Sequence, residues 1–263
     1  MYDLTSSRRI VVKVGTSTLT HPTGHLDLRR IEILVRVLAD FRNKGYEIIL
    51  VSSGAVSAGI ARLNIDHRPR TTEEKQALAA VGQSQLMKLY ERLFSDYGYC
   101  VGQILMTRDV MESDARRKHA EQTFETLLSF GCIPVVNEND SVSSEGLDFG
   151  GNDMLAAYVA IVCHADALIN LSDVDGLYDK DPRRNPEAKL IPYVERVTEE
   201  LLAVAGGAGT DRGTGGMATK LLAAQMVTEK NIAMVIANGA DPSILYRVLD
   251  NKPLGTLFAA YKA

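Results

Sequence analysis

The run Glu47-Ile48-Ile49-Leu50-Val51-Ser52-Ser53-Gly54-Ala55 decides the fold. Residues 47–51 are a short apolar stretch, which predicts a buried strand, and the small residues after it predict a tight turn into a helix. Strand, small-residue turn and helix form the βα unit of a parallel sheet. Ligands of such sheets gather at the carboxyl ends of the strands. Ser53 and Gly54 are therefore placed for a substrate, while a plain helix N-cap is an equally economical reading of either serine.

Working towards the N-terminus, Asp27 to Lys44 carries Ile31, Leu34, Val35, Leu38 and Phe41 on one helical stripe and stops at Gly45. Before it, Ile10-Val11-Val12-Lys13-Val14-Gly15 reads as another buried strand, followed by the polar turn Thr16-Ser17-Thr18. A lysine inside such a strand is costly to desolvate unless it meets a partner at the strand end. The plainer alternative is an edge strand with a snorkelling lysine.

Towards the C-terminus, Thr71 and Glu74 suggest a capping box for a helix reaching about Tyr97. A strand over Val101–Met106 and a helix over Ser113–Phe130 follow. The strand Ile133–Val136 then ends in Asn137-Glu138-Asn139-Asp140, an odd choice for a plain turn. Ser141 to Phe149 reads as a hairpin or flap. Gly150-Gly151-Asn152-Asp153 opens a helix over Met154–Cys163, where Asp153 is either a favourable N-terminal charge or a group holding a lysine or a metal-bound phosphate in register. A strand over Ala165–Leu171 ends in Ser172-Asp173. The remainder predicts a helix over 221–230, a strand over 232–237, a helix from Pro242 and a short final strand in Gly255–Phe258. Strands alternate with helices throughout. The predicted architecture is an α/β fold, a three-layer αβα sandwich with a mostly parallel central sheet.

Between these elements, Gly206 to Lys220 holds six glycines in fifteen residues and runs into an apolar helix. A glycine-rich turn at a helix start leaves backbone N–H groups free at the end where the helix dipole is positive, which suits a phosphate. It is not a Walker A loop, because Thr219 stands directly before Lys220. A flexible loop before a surface lysine is the alternative; Gly206 to Gly213 reads as a mobile lid.

Composition narrows the classes. The 263 residues are 46% hydrophobic and 24% charged, as in ordinary globular proteins, and the net charge of -4 argues against a nucleic-acid binder. Cys100, Cys132 and Cys163 are scattered through apolar runs without a CxxC pair, which predicts buried, unreactive thiols in a reducing cytoplasm. The polar start has no signal-peptide core, and the apolar run Ala156–Cys163 is too short to cross a bilayer.

Brought to one sheet edge, the strand ends offer Lys13 and Lys220, the acidic Asp140, Asp153 and Asp173, and an anion cradle. A phosphoryl transferase needs those parts, because its transition state spreads negative charge that fixed cations and N–H donors must stabilise.

These segments resemble the amino acid kinase family over essentially the full chain. The matching stretches are VVKVGTS (11–17), VSSGAVSAG (51–59), AAVGQSQL (79–86), VVNENDSV (135–142), NDMLAA (152–157), LSDVDGLYDKDPR (171–183), GTGGMATK (213–220) and GTLF (255–258). AAVGQ and VNEND point to the glutamate-phosphorylating branch. The resemblance implies one domain over 1–263, residues 1–164 mainly binding L-glutamate and 165–263 mainly binding ATP. It implies catalytic roles for Lys13, Lys220 and Asp153, and a substrate site of Ser53, Gly54, Asn137, Asp140 and Asn152. Lys13, Ser172, Asp173, Thr214, Gly215, Gly216, Met217, Ala218, Thr219 and Lys220 would bind the nucleotide. Mg²⁺ would ride on its phosphates without a dedicated protein site.

The same resemblance implies proline as feedback inhibitor, a reductase of glutamyl phosphate as downstream partner, and a cytoplasmic homodimer or homotetramer with no nucleic-acid or membrane partner. Three positions depart from the family: Gly151 replaces an aspartate, and His119 and Glu121 replace asparagine and arginine. These bear on glutamate affinity and proline inhibition. Many members continue into a C-terminal PUA domain, whereas this chain stops soon after GTLF, as a short form or a truncated chain. A relative acting on aspartate, acetylglutamate, carbamate or a nucleoside monophosphate, or a non-catalytic nucleotide-binding regulator, would share the lysines and the glycine loop.

Overall fold

In the computed structural model, which describes residues 4–142, 151–206, 216–250, 252 and 254–261, the described strands form one eight-stranded sheet. They are β1 (Arg9–Val14), β2 (Glu47–Ser52), β3 (Val101–Met106), β4 (Ile133–Glu138), β5 (Ala167–Ser172), β6 (Tyr193–Val194), β7 (Ala233–Asn238) and β8 (Thr256–Phe258). The order is β3-β4-β2-β1-β5-β7-β8-β6, parallel except where β8 runs antiparallel to β7. The chain builds outward on one side of β1 through β2 and on the other through β5. The crevice at their carboxyl ends is thus a topological switch point.

The helices are α1 (Thr16–Leu19), α2 (Leu28–Asn43), α3 (Ala55–Leu63), α4 (Thr72–Ser95), α5 (Asp109–Glu112), α6 (Asp114–Ser129), α7 (Asn152–Val162), α8 (Glu199–Gly206), α9 (Met217–Thr228) and α10 (Ile244–Leu249). They cover both faces, and period-2 alternation sorts the sheet between them. Ile10, Val12, Ile48, Leu50 and Ile169 share a core with Leu34, Leu38 and Tyr90 of α2 and α4. Val11, Ile49, Val51 and Leu168 pack with Leu155, Val159, Leu221 and Ala224 of α7 and α9. Lys13 and Asn170, even-numbered steps from Val11 and Leu168, therefore face α7 and α9, while Asn137, two residues from Val135, faces α4.

Several boundaries differ from the sequence expectations. Thr16-Ser17-Thr18 forms part of a helical turn, α1, because the Thr18 and Leu19 N–H groups both donate to the Gly15 carbonyl. Asn137 and Glu138 belong to β4, buried and paired with Leu105 and Met106, so the polar cluster begins inside the strand. Helix α9 starts four residues before Leu221, which puts Lys220 in its first turn. The Thr71 hydroxyl caps α4 by accepting from Glu74 N at 3.2 Å, but the Glu74 carboxylate accepts from Arg70 N, not from Thr71, so the box is displaced by one residue. β6 and α8 have no counterpart in the expectations. Two residues carry no periodicity, and β6 exists because β8 offers it an edge.

The thiols also differ. Cys163 is buried and its thiol is pushed up to about 12 by burial, but Cys100 is exposed and Cys132 half-buried. The β3–β4 register makes those two neighbours, and a hydrogen bond from the Cys132 thiol to Cys100, with burial, raises Cys132 to about 11.

Helices α3 and α4 approach unusually closely. A Cβ at Gly82 would lie 1.7 Å from the Ala55 carbonyl oxygen, and one at Gly59 would lie 2.0 Å from that of Leu78. Gly82→Ala is expected to cost about 1–3 kcal/mol of stability by overpacking, read as a lower urea midpoint at unchanged slope.

Candidate active site

Three buried charged groups meet where β1, α7 and α9 converge. Lys13 Nζ lies 2.5 Å from Asp153 Oδ1, and Lys220 Nζ lies 2.9 Å from Asp153 Oδ2. Lys13, Asp153 and Lys220 are only 6%, 2% and 5% exposed. Asn170, opposite Lys13 in the β1–β5 register, donates from Nδ2 to Asp153 Oδ1 at 2.9 Å. Burial alone would raise the Asp153 carboxyl, yet the two ammonium groups outweigh it and hold the value at about 2. For Lys13 burial wins: together with the Lys220 charge it lowers the ammonium below its ordinary value, against Asp153 and Asp173. The N-terminal position of Asp153 on α7 adds the helix dipole to its partners. The choice left open by the sequence, between a helix-end charge and a lysine holder, thus resolves to both.

Two buried ammonium groups held on one carboxylate make a cationic pair of the kind that attracts an anion. Ser172 is buried at the carboxyl end of β5 and donates to the exposed Asp173 at 3.1 Å. Gly216 caps α9, followed by Met217, Ala218 and Thr219; the Thr219 hydroxyl turns back to the Gly216 carbonyl at 2.7 Å. Of the lid expected over Gly206 to Gly213, Gly206 ends α8, while residues 207–213, Thr214, Gly215 and residues 143–149 of the expected flap lie outside the described residues.

A second polar group adjoins the first across one peptide bond. Asn152 donates from Nδ2 to Ser53 Oγ at 2.7 Å and to Asn137 Oδ1 at 3.0 Å. Ser53 is not an N-cap. Gly54 holds that position in the left-handed region (φ 104°) without a side-chain cap. Asp140 faces Lys75 Nζ at 3.3 Å and lines a cavity of about 440 Å³ with Ala55, Gln83, Glu138, Asn139 and Ser141. Gly151 lies at φ 103°, a backbone that a residue with a Cβ rarely adopts. The glycine in place of the family's aspartate therefore matches its own backbone. His119 and Glu121 lie on α6, where Glu121 pairs with His164 at 2.9 Å.

Sequence reasoning passed over Asn170 and gave no role to Gln83. Asn170 could have been found as the one polar residue inside the apolar run Ala167–Leu171. Gln83 gives no such sign, because a helix interior readily carries glutamine.

The sequence matches the model of the amino acid kinase family over residues 8–238. The chain belongs to the amino acid kinase family. Among curated proteins, it is 49% identical to the glutamate 5-kinase of Clostridium perfringens over 98% of both chains. It is 52% identical to that of Clostridium acetobutylicum, over 97% of this chain and 96% of the other. Among solved structures, it resembles a UMP kinase from Bacillus anthracis (TM-score 0.65, 17% identity, 97% of both chains). It also resembles a carbamate kinase from Giardia lamblia bound to AMP-PNP (TM-score 0.67, 14% identity, 97% of this chain and 99% of the other). At those identities the structural likeness carries the fold alone. Among the described residues no helix is long and apolar enough to cross a membrane.

Proposed function

We propose that this chain is an ATP-dependent glutamate 5-kinase. It transfers the γ-phosphoryl group of ATP to the side-chain carboxylate of L-glutamate, giving L-glutamyl 5-phosphate and ADP, the first step of proline synthesis. The observation that carries phosphoryl transfer is the buried Lys13–Asp153–Lys220 group. Its two buried ammonium groups suit the negative charge that develops on the migrating phosphoryl. The acceptor follows from the relatives named glutamate 5-kinase at about half identity over nearly full length.

The chemistry needs no general base. A glutamate side chain is already ionised near neutral pH, since its ordinary value is about 4.3. One carboxylate oxygen attacks the γ-phosphorus, the bond to the bridging oxygen breaks, and ADP leaves without a proton being moved. Catalysis then rests on alignment and electrostatics. In this reading Lys13 and Lys220 neutralise the phosphoryl oxygens and Asp153 orients both lysines. Ser53, Gly54, Asn137, Asp140 and Asn152 bind glutamate; Ser172, Asp173 and the 214–220 segment bind ATP. Residues 1–164 and 165–263 are mainly the glutamate and ATP lobes.

Magnesium fits as a passenger of the nucleotide. Among the described residues no three His, Cys, Asp or Glu side chains cluster as a cage, and the carboxylates at hand are Asp153 and Asp173. When bound, it would offset phosphate charge. Proline as feedback inhibitor, a glutamyl phosphate reductase as partner, a cytoplasmic location and a homodimer or homotetramer complete the proposal.

ADP release from Mg-ATP, measured with L-glutamate, L-aspartate, acetylglutamate, carbamate and UMP, tests it. Turnover with glutamate alone is the expected result; turnover only with another acceptor, or none with any, overturns the reading. Asp140→Ala is expected to raise the glutamate KM by about 10–100-fold, the loss of one charged hydrogen-bonding partner, with little change in the KM for Mg-ATP.

A further inference from the structure

The polar side chains around Ser53 have a direction, and that direction starts on α4. Gln83, buried there, accepts at Oε1 from Asn137 Nδ2 at 2.9 Å. A carboxamide can present either end to a partner. With its NH2 turned to Gln83, buried Asn137 presents its oxygen to Asn152, which must answer with its own NH2. The two hydrogens of Asn152 are then taken by Asn137 Oδ1 and Ser53 Oγ. What remains for a ligand is the Asn152 oxygen as an acceptor and the Ser53 hydroxyl as a donor. Asp140, paired with Lys75 at 3.3 Å, offers a carboxylate on the neighbouring cavity that Gln83 also lines. Acceptors beside a donor suit an α-amino acid, whose ammonium and carboxylate share one carbon.

Gln83 is itself held firmly. Its neighbour Gly82 presses the α4 backbone against the Ala55 carbonyl at the start of α3, immediately after Ser53 and Gly54. The α4 backbone that carries Gln83 is thereby tied to the turn that carries the substrate serine.

We propose that Gln83 is a positioning residue that sets the donor–acceptor polarity of the amino-acid pocket, acting through Asn137 and Asn152 on the substrate ammonium. This rests on the reading of that pocket as the glutamate site. Removing the Gln83 acceptor frees Asn137 to turn over, and Asn152 then loses its reason to keep its oxygen towards the ligand. The affected quantity is discrimination between glutamate and glutarate, which lacks the ammonium.

The test compares the full-length wild type with Gln83→Met, similar in volume without the acceptor, and Gln83→Glu, which keeps an acceptor oxygen. Steady-state kinetics with glutamate, glutarate and Mg-ATP, and thermal melting, are read for each. Gln83→Met is expected to raise the glutamate KM about 10-fold and to narrow the glutamate-to-glutarate ratio of kcat/KM similarly. The KM for Mg-ATP should stay within about 2-fold. Gln83→Glu is expected to remain within about 3-fold of wild type on both readouts. An unchanged ratio in Gln83→Met overturns the proposal, as does an equal loss in Gln83→Glu. So does a parallel rise of both KM values with a lowered melting temperature, which would mean that Gln83 only supports the fold. A wild type without activity on glutamate removes the pocket reading itself, a result distinct from an active wild type with an indifferent Gln83→Met.

Discussion

Replacing Lys220 by alanine is expected to lower kcat by about 10²–10³-fold, the effect of removing one fixed electrostatic donor from a transition state, while the protein stays folded. The asymmetry follows from the charge count of the buried group. With both lysines present, one carboxylate serves two ammonium groups. Without Lys220, Asp153 and Lys13 remain a matched pair at 2.5 Å, further held by Asn170. The folded state therefore loses one arm of a shared ion pair and some packing of the lysine stem, while the Lys13–Asp153 pair persists. The phosphoryl group, by contrast, loses half of the buried positive charge available to it. Steady-state ADP release and a melting curve on the same preparation separate the two effects. A variant that loses stability and activity together would assign Lys220 to the fold.

Asp153→Asn is expected to do the opposite and to damage folding as well as activity. It removes the carboxylate that both buried ammonium groups touch, and breaking a buried pair in this way costs about 3–5 kcal/mol. The pH dependence carries a signature of its own. The carboxyl stands at about 2 in the folded protein against 3.8 ordinarily. A depressed carboxyl stabilises the fold fully above its unfolded value, and that contribution fades as pH falls from about 4 towards 2. The difference corresponds to about 2 kcal/mol. Denaturant unfolding of wild type between pH 5 and 2 should show this acid loss, and Asp153→Asn should show a correspondingly shallower slope. Parallel slopes in the two proteins would mean that other carboxylates dominate the acid limb.

These residues were not equally readable in advance. Lys13 stood out because a charge inside an apolar strand demands a partner. Asp153 and Lys220 were flagged by helix-start position, but nothing local showed that they meet Lys13. Residues 13, 153 and 220 come together through the β1–β5 pairing and the packing of α7 and α9 on the same face. Ser53 was ambiguous for a physical reason: a serine before a helix is as good a cap as a ligand. The left-handed Gly54 and the bond from Asn152 decided against the cap. Gln83 stayed silent because polar residues on helices are common and only its partner, 54 positions away, gives it meaning.

The sequence by itself determined the strands other than β6, most helices, the layered α/β class and the list of groups for phosphoryl transfer. Those depend on apolar periodicity, small-residue turns and the cost of burying charge, all of which act over a few neighbouring positions. Only the tertiary structure decided which lysine meets which carboxylate, which way each carboxamide faces, and that two thiols 32 positions apart are neighbours. Such pairings follow from strand order and from the face each side chain takes, and neither is fixed by the residues adjoining it in the chain.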